Sequence, residues 1–330
     1  MIHLLTTGGT IASTPSAAGR NVAGALPAEA LLDPINAALD QGPAVQTESL
    51  LQKPSNAIDA EDLCRIAERC ETRLADPSTD GIVITHGTDT LEDTAWFLQQ
   101  ALGDCARPVV VTGSQRALHE RGSDAPRNLI DALRVAAASG SRGRGVLVVF
   151  DEEIHSASLA RKISSYRLTG FGSPGYGPIG HIDGTTLRYP LSARVPAPIP
   201  RGSQLPRVDI LTAAVGSACP IDALLDNGAQ GLIIDALGRG QVPPDWVPAI
   251  ERADAAGCPV AITSSTASGP VAEVYEYAGS LERVMAAGAV PADALTARQA
   301  RLLLMLVLST PQGAARWRTR FATAAGWSIV

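Results

Sequence analysis

Two short threonine-bearing segments contain the residue types of a hydrolytic site. They are residues 4–12, with the sequence LLTTGGTIA, and residues 82–90, with the sequence IVITHGTDT. In each segment hydroxyl side chains follow an apolar run and lie beside glycine, which lets the backbone turn sharply and approach a ligand closely. Because open α/β sheets bind ligands at the carboxyl ends of their strands, the two segments predict a hydrolase with two threonines at one site.

Thr10 is the candidate nucleophile of the first segment. Its hydroxyl follows Gly8 and Gly9, and nearby peptide N–H groups could hold a developing oxyanion. An ordinary tight turn and a phosphate-binding loop are the alternatives at this position. The phosphate alternative has little support, because neither GxGxxG nor GxxxxGK[ST] is present.

Thr88 and Asp89 lie where a predicted strand passes into a predicted helix. One interpretation is a helix cap, in which Asp89 pairs with Glu92 three residues later. The other interpretation has Thr88 giving a proton towards a base while Asp89 holds an ammonium group, from the substrate or from a lysine. A cap explains Asp89 but not the residues that precede it.

Lysine usage bears on this choice. Only Lys53 and Lys162 are lysines among 27 basic residues. A guanidinium stays protonated in a protein, whereas a buried amine can lose its proton and act as a base. Lys162 is therefore a candidate base, and a solvated surface lysine is the alternative.

The elements that must position these residues alternate between strand and helix. Strands are predicted at 2–6, 81–85, 108–112 and 145–150, and helices at 59–74, 90–102 and 124–138. Strands that are apolar throughout and separated by amphipathic helices indicate a parallel sheet covered on both faces. A β-hairpin is predicted around Asp183 and Gly184.

The chain is predicted to form two domains. Residues 1–190 form the larger N-terminal α/β domain with a doubly wound, mainly parallel sheet, and 191–207 form a linker, since 190–207 carries five prolines. Residues 208–330 form a smaller C-terminal α/β domain. Its strands are predicted at 208–212, 231–237 and 259–263, and its helices at 220–227, 244–256 and 296–308.

Composition favours small-molecule chemistry. The net charge of −6 argues against nucleic acid or an anionic membrane as the main partner. Five scattered cysteines without CxxC spacing predict reduced core thiols, and neither they nor the histidines have metal-ligand spacing, so no metal is expected. No signal sequence opens the chain and no apolar run is long enough to span a membrane, so a cytoplasmic location is expected.

Four motifs together resemble the bacterial-type L-asparaginase family, also called the asparaginase/glutaminase family. They are TGGTIA at 7–12, HGTDT at 86–90, VTGSQR at 111–116 and SDAPRN at 123–128. The resemblance covers nearly the whole chain, and it implies hydrolysis of L-asparagine to L-aspartate and ammonia without a cofactor. The implied mechanism is acyl transfer, in which a threonine attacks the amide carbon and water hydrolyses the resulting ester.

The resemblance also implies roles for individual residues. Thr10 matches the first catalytic threonine and is the expected nucleophile, while the second catalytic cluster is Thr88, Asp89 and Lys162. For substrate binding, Ser55 matches the position that holds the α-carboxylate and Asp89 would also hold the α-amino group. The remaining substrate-binding positions are Asn56 beside Ser55, Gly87, and Ser114, whose backbone would line the pocket near the side-chain amide.

Three departures from the family pattern matter. A tyrosine normally lies on the mobile loop beside the first threonine, but residues 11–30 contain none, although 13–25 has the composition of a flexible lid. Asn56 replaces a frequent glutamine, which predicts activity on glutamine well below that on asparagine. The family also completes its site from a neighbouring subunit, within homotetramers built of intimate dimers; Gln241 and either Glu273 or Glu276 are the expected contributors.

Three alternatives remain open at this point. One is a broad-specificity glutaminase-asparaginase. Another is the amidase subunit of a tRNA-dependent amidotransferase, which shares these motifs, although the acidic charge gives tRNA little to bind. The third is a non-catalytic metabolite binder on a doubly wound sheet, which would not need two threonines, an aspartate and a lysine together.

Overall fold

The computed structural model of the chain describes residues 1–35, 44–192 and 194–326. They form two compact units, Met1–Pro198 and Ile199–Val330. The division falls inside the stretch expected to be a linker. The predicted second domain extends to residue 330, and its last part, 327–330, lies outside the described residues.

The first unit contains twelve described strands and four described helices. The strands are β1 (Ile2–Gly8), β2 (Thr14–Pro15), β3 (Asn21–Val22), β4 (Val45–Lys53), β5 (Gly81–Thr85), β6 (Val109–Thr112), β7 (Val146–Phe150), β8 (Glu153–Ser156), β9 (Arg161–Lys162), β10 (Phe171–Gly172), β11 (Gly180–Asp183) and β12 (Thr186–Arg188). The helices are α1 (Ala28–Leu32), α2 (Ala60–Ala75), α3 (Leu91–Leu102) and α4 (Ala125–Ala137).

Eight of these strands form one mixed sheet in the order β12-β11-β8-β7-β6-β5-β1-β4. The five strands from β7 to β4 are parallel, and β8, β11 and β12 continue the sheet in antiparallel fashion. The sheet is therefore mainly parallel, as predicted. Strands β1, β5, β6 and β7 are buried at every residue, because helices cover both faces.

Alternate side chains of the parallel strands pack into separate layers. Ile2, Leu4 and Val83 join α1 and α4 in one buried apolar cluster. Helices α2 and α3 contact one another and the strands β5, β6 and β7. Since successive side chains of a strand point to opposite faces, the residues between those of the first cluster face α2 and α3.

The order of the parallel strands defines where a ligand can enter. From β1 the chain runs outward to β4, then returns past β1 to β5 and continues to β6 and β7. The loops that leave β1 and β5 therefore run in opposite directions and leave a crevice between their carboxyl ends, as expected at a topological switch point. The two threonine segments follow these two strands.

The predicted elements of this unit are largely confirmed, but the β2–β3 hairpin, the strands β4, β8, β9 and β10, and helix α1 were not predicted. Strand β4 is at the edge of the sheet and only Leu50 and Leu51 are buried, so it lacks the continuous apolar run of its neighbours. The expected flexible lid contains a short antiparallel hairpin, Thr14–Pro15 with Asn21–Val22. The predicted start of α2 near Asp59 is confirmed, where Asp59 and Asp62 form a capping box.

The second unit is built on a smaller parallel sheet. Its strands, in the order β13-β14-β15-β16, are β13 (Val208–Thr212), β14 (Gly231–Ala236), β15 (Val260–Ser264) and β16 (Val290–Pro291). Its helices are α5 (Ile221–Asp226), α6 (Val247–Ala255), α7 (Leu281–Ala286), α8 (Ala297–Leu308), α9 (Pro311–Ala314) and α10 (Trp317–Ala325). Helix α8 packs on β13, β14 and β15. The predicted smaller α/β fold is confirmed, although α7, α9, α10 and β16 were not predicted.

The state of the cysteines and the length of the apolar helices bear on two of the sequence predictions. The five cysteines are free thiols, of which all but Cys219 are buried. Among the described residues, no helix is both long and apolar enough to cross a membrane.

Candidate active site

Thr10 lies at the start of a single 3₁₀ turn, Thr10–Ala12, directly after β1. The turn is possible because Gly8 and Gly9 have φ angles of 103° and 78°, in the region that favours glycine. The Gly9 carbonyl accepts hydrogen bonds from the Ser13 hydroxyl at 3.0 Å and from the Gly24 N–H at 3.3 Å. These bonds hold the beginning and the end of the lid segment on the turn that carries Thr10.

The turns after β1 and β5 touch through their backbones. A Cβ atom placed on Gly9 would lie 2.3 Å from the Cα of Gly87, and one on Gly87 would lie 2.7 Å from the Ser55 Oγ. Neither distance is possible between non-bonded atoms, so both positions require glycine. Thr10 and Thr88 each follow one of these two glycines, so the contact brings the turns of both threonines together at the carboxyl ends of β1 and β5.

Ser55 joins the same cluster from the end of β4. Its side chain is buried beside Gly87, and its carbonyl accepts a hydrogen bond from the Thr90 hydroxyl at 2.8 Å. Ser55 begins a 3₁₀ turn, Ser55–Ala57, in which Asn56 is exposed. The predicted carboxylate-binding serine therefore lies against the second threonine motif, and Asn56 beside it in the chain is exposed.

Lys162 reaches the second motif from β9. Its Nζ donates to the Thr88 Oγ1 at 2.8 Å and to the Asp89 Oδ1 at 2.6 Å. The Thr88 side chain is buried, and only 16% of the Lys162 side chain is exposed, against 70% for Asp89. The predicted cluster of threonine, aspartate and lysine is thus formed by residues that are more than 70 positions apart in the chain.

The start of helix α3 shows that the cap interpretation of Asp89 and Glu92 is wrong. The N-cap is Thr90 and it makes no side-chain capping bond. The carboxylate of Glu92 instead accepts a hydrogen bond from the backbone N–H of Lys162. Asp89 and Glu92 therefore both bind Lys162. The contact of Glu92 was not predicted, because no local sequence pattern indicates its partner.

Ser114 lies in a loop that is held by the fourth motif. The Ser114 hydroxyl donates to the Arg116 carbonyl at 2.6 Å, so its backbone rather than its hydroxyl is available to line a pocket. The Asp124 carboxylate accepts from the N–H groups of Gln115 at 2.9 Å and Arg116 at 3.0 Å. The Asn128 amide donates to the Gly113 carbonyl at 3.0 Å and so holds the start of the same loop.

His86 has a structural position below the second motif. It is fully buried, with Nδ1 2.8 Å from the Gly87 carbonyl and Nε2 2.9 Å from the Thr94 hydroxyl. Because a carbonyl can only accept, Nδ1 carries the proton and Nε2 accepts from Thr94. Burial lowers the pKa of His86 to about 4, against an opposing effect of its bond to Gly87. The neutral ring therefore supports the turn at Gly87.

The other lysine has a different role. Lys53 Nζ donates to the Asp62 Oδ2 at 2.7 Å, and this hydrogen bond raises the Lys53 pKa. Lys53 thus adds an ion pair to the capping box at the start of α2. Of the two lysine amines, it is the one of Lys162 that binds a threonine motif.

The lid segment makes a side-chain contact with the loop that follows Ser114. The Asn21 Nδ2 donates to the Glu120 Oε1 at 2.9 Å, and the same oxygen accepts from the Ala117 N–H at 3.2 Å. These two hydrogen bonds lower the Glu120 pKa, and the bond from Asn21 is the larger cause. The lid is therefore attached to the loop at 113–123.

The expected contributors from a neighbouring subunit belong to the second unit. The Gln241 Oε1 accepts from the Arg239 N–H at 2.8 Å, while its Nε2 is buried without a hydrogen-bond partner among the described residues. Glu273 and Glu276 are exposed on the irregular segment between β15 and α7. Over the described ranges, no group of three or more His, Cys, Asp or Glu residues is arranged to hold a metal ion.

Comparison with known proteins gives a consistent result along the chain. A model of the asparaginase N-terminal domain matches residues 1–194, and a model of the glutaminase/asparaginase C-terminal domain matches residues 207–321. The L-asparaginase of Bacillus licheniformis is 36% identical over 311 residues, which cover 94% of this chain and 95% of that protein. The probable L-asparaginase of Deinococcus radiodurans is 40% identical over 314 residues, with 93% and 92% covered.

A solved structure has the same fold. The crystal structure of a probable cytoplasmic L-asparaginase from Campylobacter jejuni superimposes with a TM-score of 0.87 at 27% identity, covering 97% of this chain and 98% of that one.

The close approach of Gly9 and Gly87 leads to a paired prediction. We expect Gly9→Ala to lower stability by at least about 2 kcal/mol more than Gly19→Ala, because its methyl group forces two backbones apart. Gly19 is the matched control, since it has a similar φ of 70° but no described atom within 4 Å of the position that a Cβ would take. Urea denaturation of both variants measures the difference, and equal losses would show that only the φ angle matters.

The buried neutral His86 predicts a loss of stability in acid. Its folded pKa of about 4 lies below the ordinary value of 6.5, so between these pH values the unfolded chain binds more protons and stability falls as the pH falls. When the pH is lowered from about 7 to about 4.5, we expect the free energy of unfolding to fall less for His86→Gln than for the unchanged protein.

The control for this experiment is His119→Gln, which removes an exposed histidine in place of a buried one. Burial raises the pKa of Asp131 to about 6, which acts in the opposite direction, but this group is common to all variants and cancels in the comparison. Parallel stability curves for His86→Gln and the unchanged protein would contradict the assignment.

Proposed function

The chain belongs to the asparaginase family, and on that basis we propose that it hydrolyses L-asparagine to L-aspartate and ammonia through an ester on Thr10. One observation carries the proposal for this site. The backbone contact of Gly9 with Gly87 joins the turn of Thr10 to the turn of Thr88, whose hydroxyl lies 2.8 Å from the amine of Lys162.

The first half of the reaction forms the ester. The Thr10 hydroxyl attacks the side-chain amide carbon of asparagine and loses its proton, while peptide N–H groups of the glycine turns stabilise the oxyanion. The C–N bond then breaks, and the nitrogen leaves as ammonia after it takes up a proton. The product of this half is a β-aspartyl ester on Thr10.

The second half hydrolyses the ester. Thr88 and Lys162 take the proton from a water molecule as its oxygen attacks the ester carbonyl. The ester C–O bond breaks, the Thr10 oxygen takes up a proton and aspartate is released. Lys162 can serve in this step because an amine, unlike a guanidinium, can give up its proton.

The substrate's backbone groups have candidate partners around the same crevice. Ser55 is proposed to hold the α-carboxylate and Asp89 the α-ammonium, while Gly87 and the backbone of Ser114 line the pocket. Asp89 already accepts from Lys162 through Oδ1, and a carboxylate can hold a second ammonium group. The exposed Asn56, next to Ser55 in the chain, is proposed to limit the space around the substrate.

Assembly and location complete the proposal. We propose a homotetramer or homodimer in which Gln241 and either Glu273 or Glu276 complete the site of a neighbouring subunit. A cytoplasmic location is supported by the name of the Campylobacter jejuni protein.

A broad-specificity glutaminase-asparaginase is the second candidate, favoured by the description of the family's C-terminal domain. We expect kcat/KM for ammonia release from L-asparagine to exceed that from L-glutamine by about 10- to 200-fold. With the amide carbon at Thr10, the extra methylene of glutamine displaces its α-carboxylate and α-ammonium from Ser55 and Asp89. Comparable values would favour the second candidate, and binding without ammonia release from either amide would favour a non-catalytic role.

The same assay tests the ester. Hydroxylamine competes with water for an acyl-enzyme, so its addition should yield aspartyl hydroxamate in proportion to its concentration. Thr10→Ala should abolish both ammonia and hydroxamate, and Thr7→Ala is the control in the same segment. Hydroxamate formation by Thr10→Ala at the normal rate would show that Thr10 is not the nucleophile.

The two lysines provide a further matched test. We expect Lys162→Arg to lower kcat by at least about 100-fold, because a guanidinium cannot take a proton from water. Lys53→Arg keeps the ion pair with Asp62 and should retain nearly full activity. Full activity of Lys162→Arg would eliminate Lys162 as the base.

A further inference from the structure

Lys162 is held at both of its ends by one short stretch of chain. Its amine contacts Thr88 and Asp89 just before α3, and its backbone N–H donates to Glu92 in the first turn of that helix. The start of α3 therefore binds the lysine at its amine and at its backbone.

The backbone of Lys162 needs such a partner. Strand β9 is only two residues long and pairs on one side with β10, where Lys162 lies opposite Phe171. The two strands form a separate two-stranded sheet, so within the described part of the chain no third strand pairs with the other edge of β9. The Glu92 carboxylate occupies the place of a backbone acceptor on that edge.

Glu92 has the Lys162 N–H as one of the donors to its carboxylate. The residue is only 9% exposed, and a buried carboxylate is unfavourable without hydrogen-bond donors. A peptide N–H bound to an ionised carboxylate is a strong, directional contact that fixes where β9 lies. A long and flexible lysine side chain can place its amine reproducibly only if its backbone is fixed.

We infer that Glu92 is a positioning residue, which holds the backbone of Lys162 so that its amine reaches Thr88. The inference rests on the proposed function in that Lys162 is the proposed base. Glu92 acts through Lys162 and not on the substrate. Its loss should therefore lower kcat and leave KM nearly unchanged.

A double-mutant cycle tests this inference. We expect Glu92→Ala to lower kcat by about 10- to 100-fold, as for a catalytic group displaced by about 1 Å. In the Lys162→Arg background the same substitution should cause little further loss, because the positioned amine is already absent. Equal losses in both backgrounds would indicate a general structural role and overturn the inference.

Two variants serve as controls. Glu92→Gln keeps the size of the side chain and an acceptor oxygen, so it should fold normally and recover most of the activity that Glu92→Ala loses. Asp93→Asn removes a charge from the same first turn of α3 and should have nearly full activity. A Glu92→Gln loss as large as that of Glu92→Ala would contradict a role through hydrogen bonding.

A second readout is independent of catalysis. Because Lys53 and Lys162 are the only lysines, limited acetylation followed by peptide mass spectrometry reports on Lys162 with Lys53 as internal reference. Glu92→Ala should raise the ratio of Lys162 to Lys53 acetylation severalfold, and Asp93→Asn should not. An unchanged ratio overturns the inference, whereas a raised ratio without any ammonia release from the unchanged protein would refute only the proposed function.

Discussion

The backbone of Gly87 lies so close to Gly9 that Gly9 cannot carry a side chain, while the Ser55 side chain fills that space at Gly87, and the rest of the candidate site depends on the contact of the two glycines. It lies between β1 and β5, where the direction of the chain connections reverses and a crevice opens at the carboxyl ends of the strands. Glycine is needed there for a steric reason at both positions and for its positive φ at Gly9. The residues that follow, Thr10 and Thr88, reach the crevice because the backbones before them are in contact.

Carboxylates that accept backbone N–H groups hold the surrounding segments. Asp124 binds two consecutive N–H groups of the loop that includes Ser114, Glu92 binds the N–H of Lys162, and Glu120 binds both the lid and the loop beside it. Each carboxylate fixes a segment that has little regular structure of its own. An ionised acceptor makes a stronger hydrogen bond than a neutral one, so few such contacts are enough to position irregular backbone next to a rigid sheet.

Much of the framework could be predicted from periodicity, and the failures have physical causes. Strands β1, β5, β6 and β7 are apolar throughout because both of their faces are buried. Strand β4 was not predicted because it lies at the sheet edge, where polar side chains face solvent and interrupt the apolar run. The Asp59 capping box marked the start of α2, but a similar spacing of Asp89 and Glu92 was misleading, since both side chains bind Lys162 instead of capping α3.

The sequence by itself determined the alternation of strands and helices, the two glycine-threonine motifs and the scarcity of lysine, because these are properties of residue type and local spacing. The tertiary structure alone decided that Glu92 binds the lysine's backbone and that Ser55 packs against Gly87, and it placed the Lys162 amine on Thr88, which residue types and spacing could not do. Contacts between residues separated by 30 to more than 70 positions leave no periodic signal, since they depend on strand order and on the exact place where each strand ends.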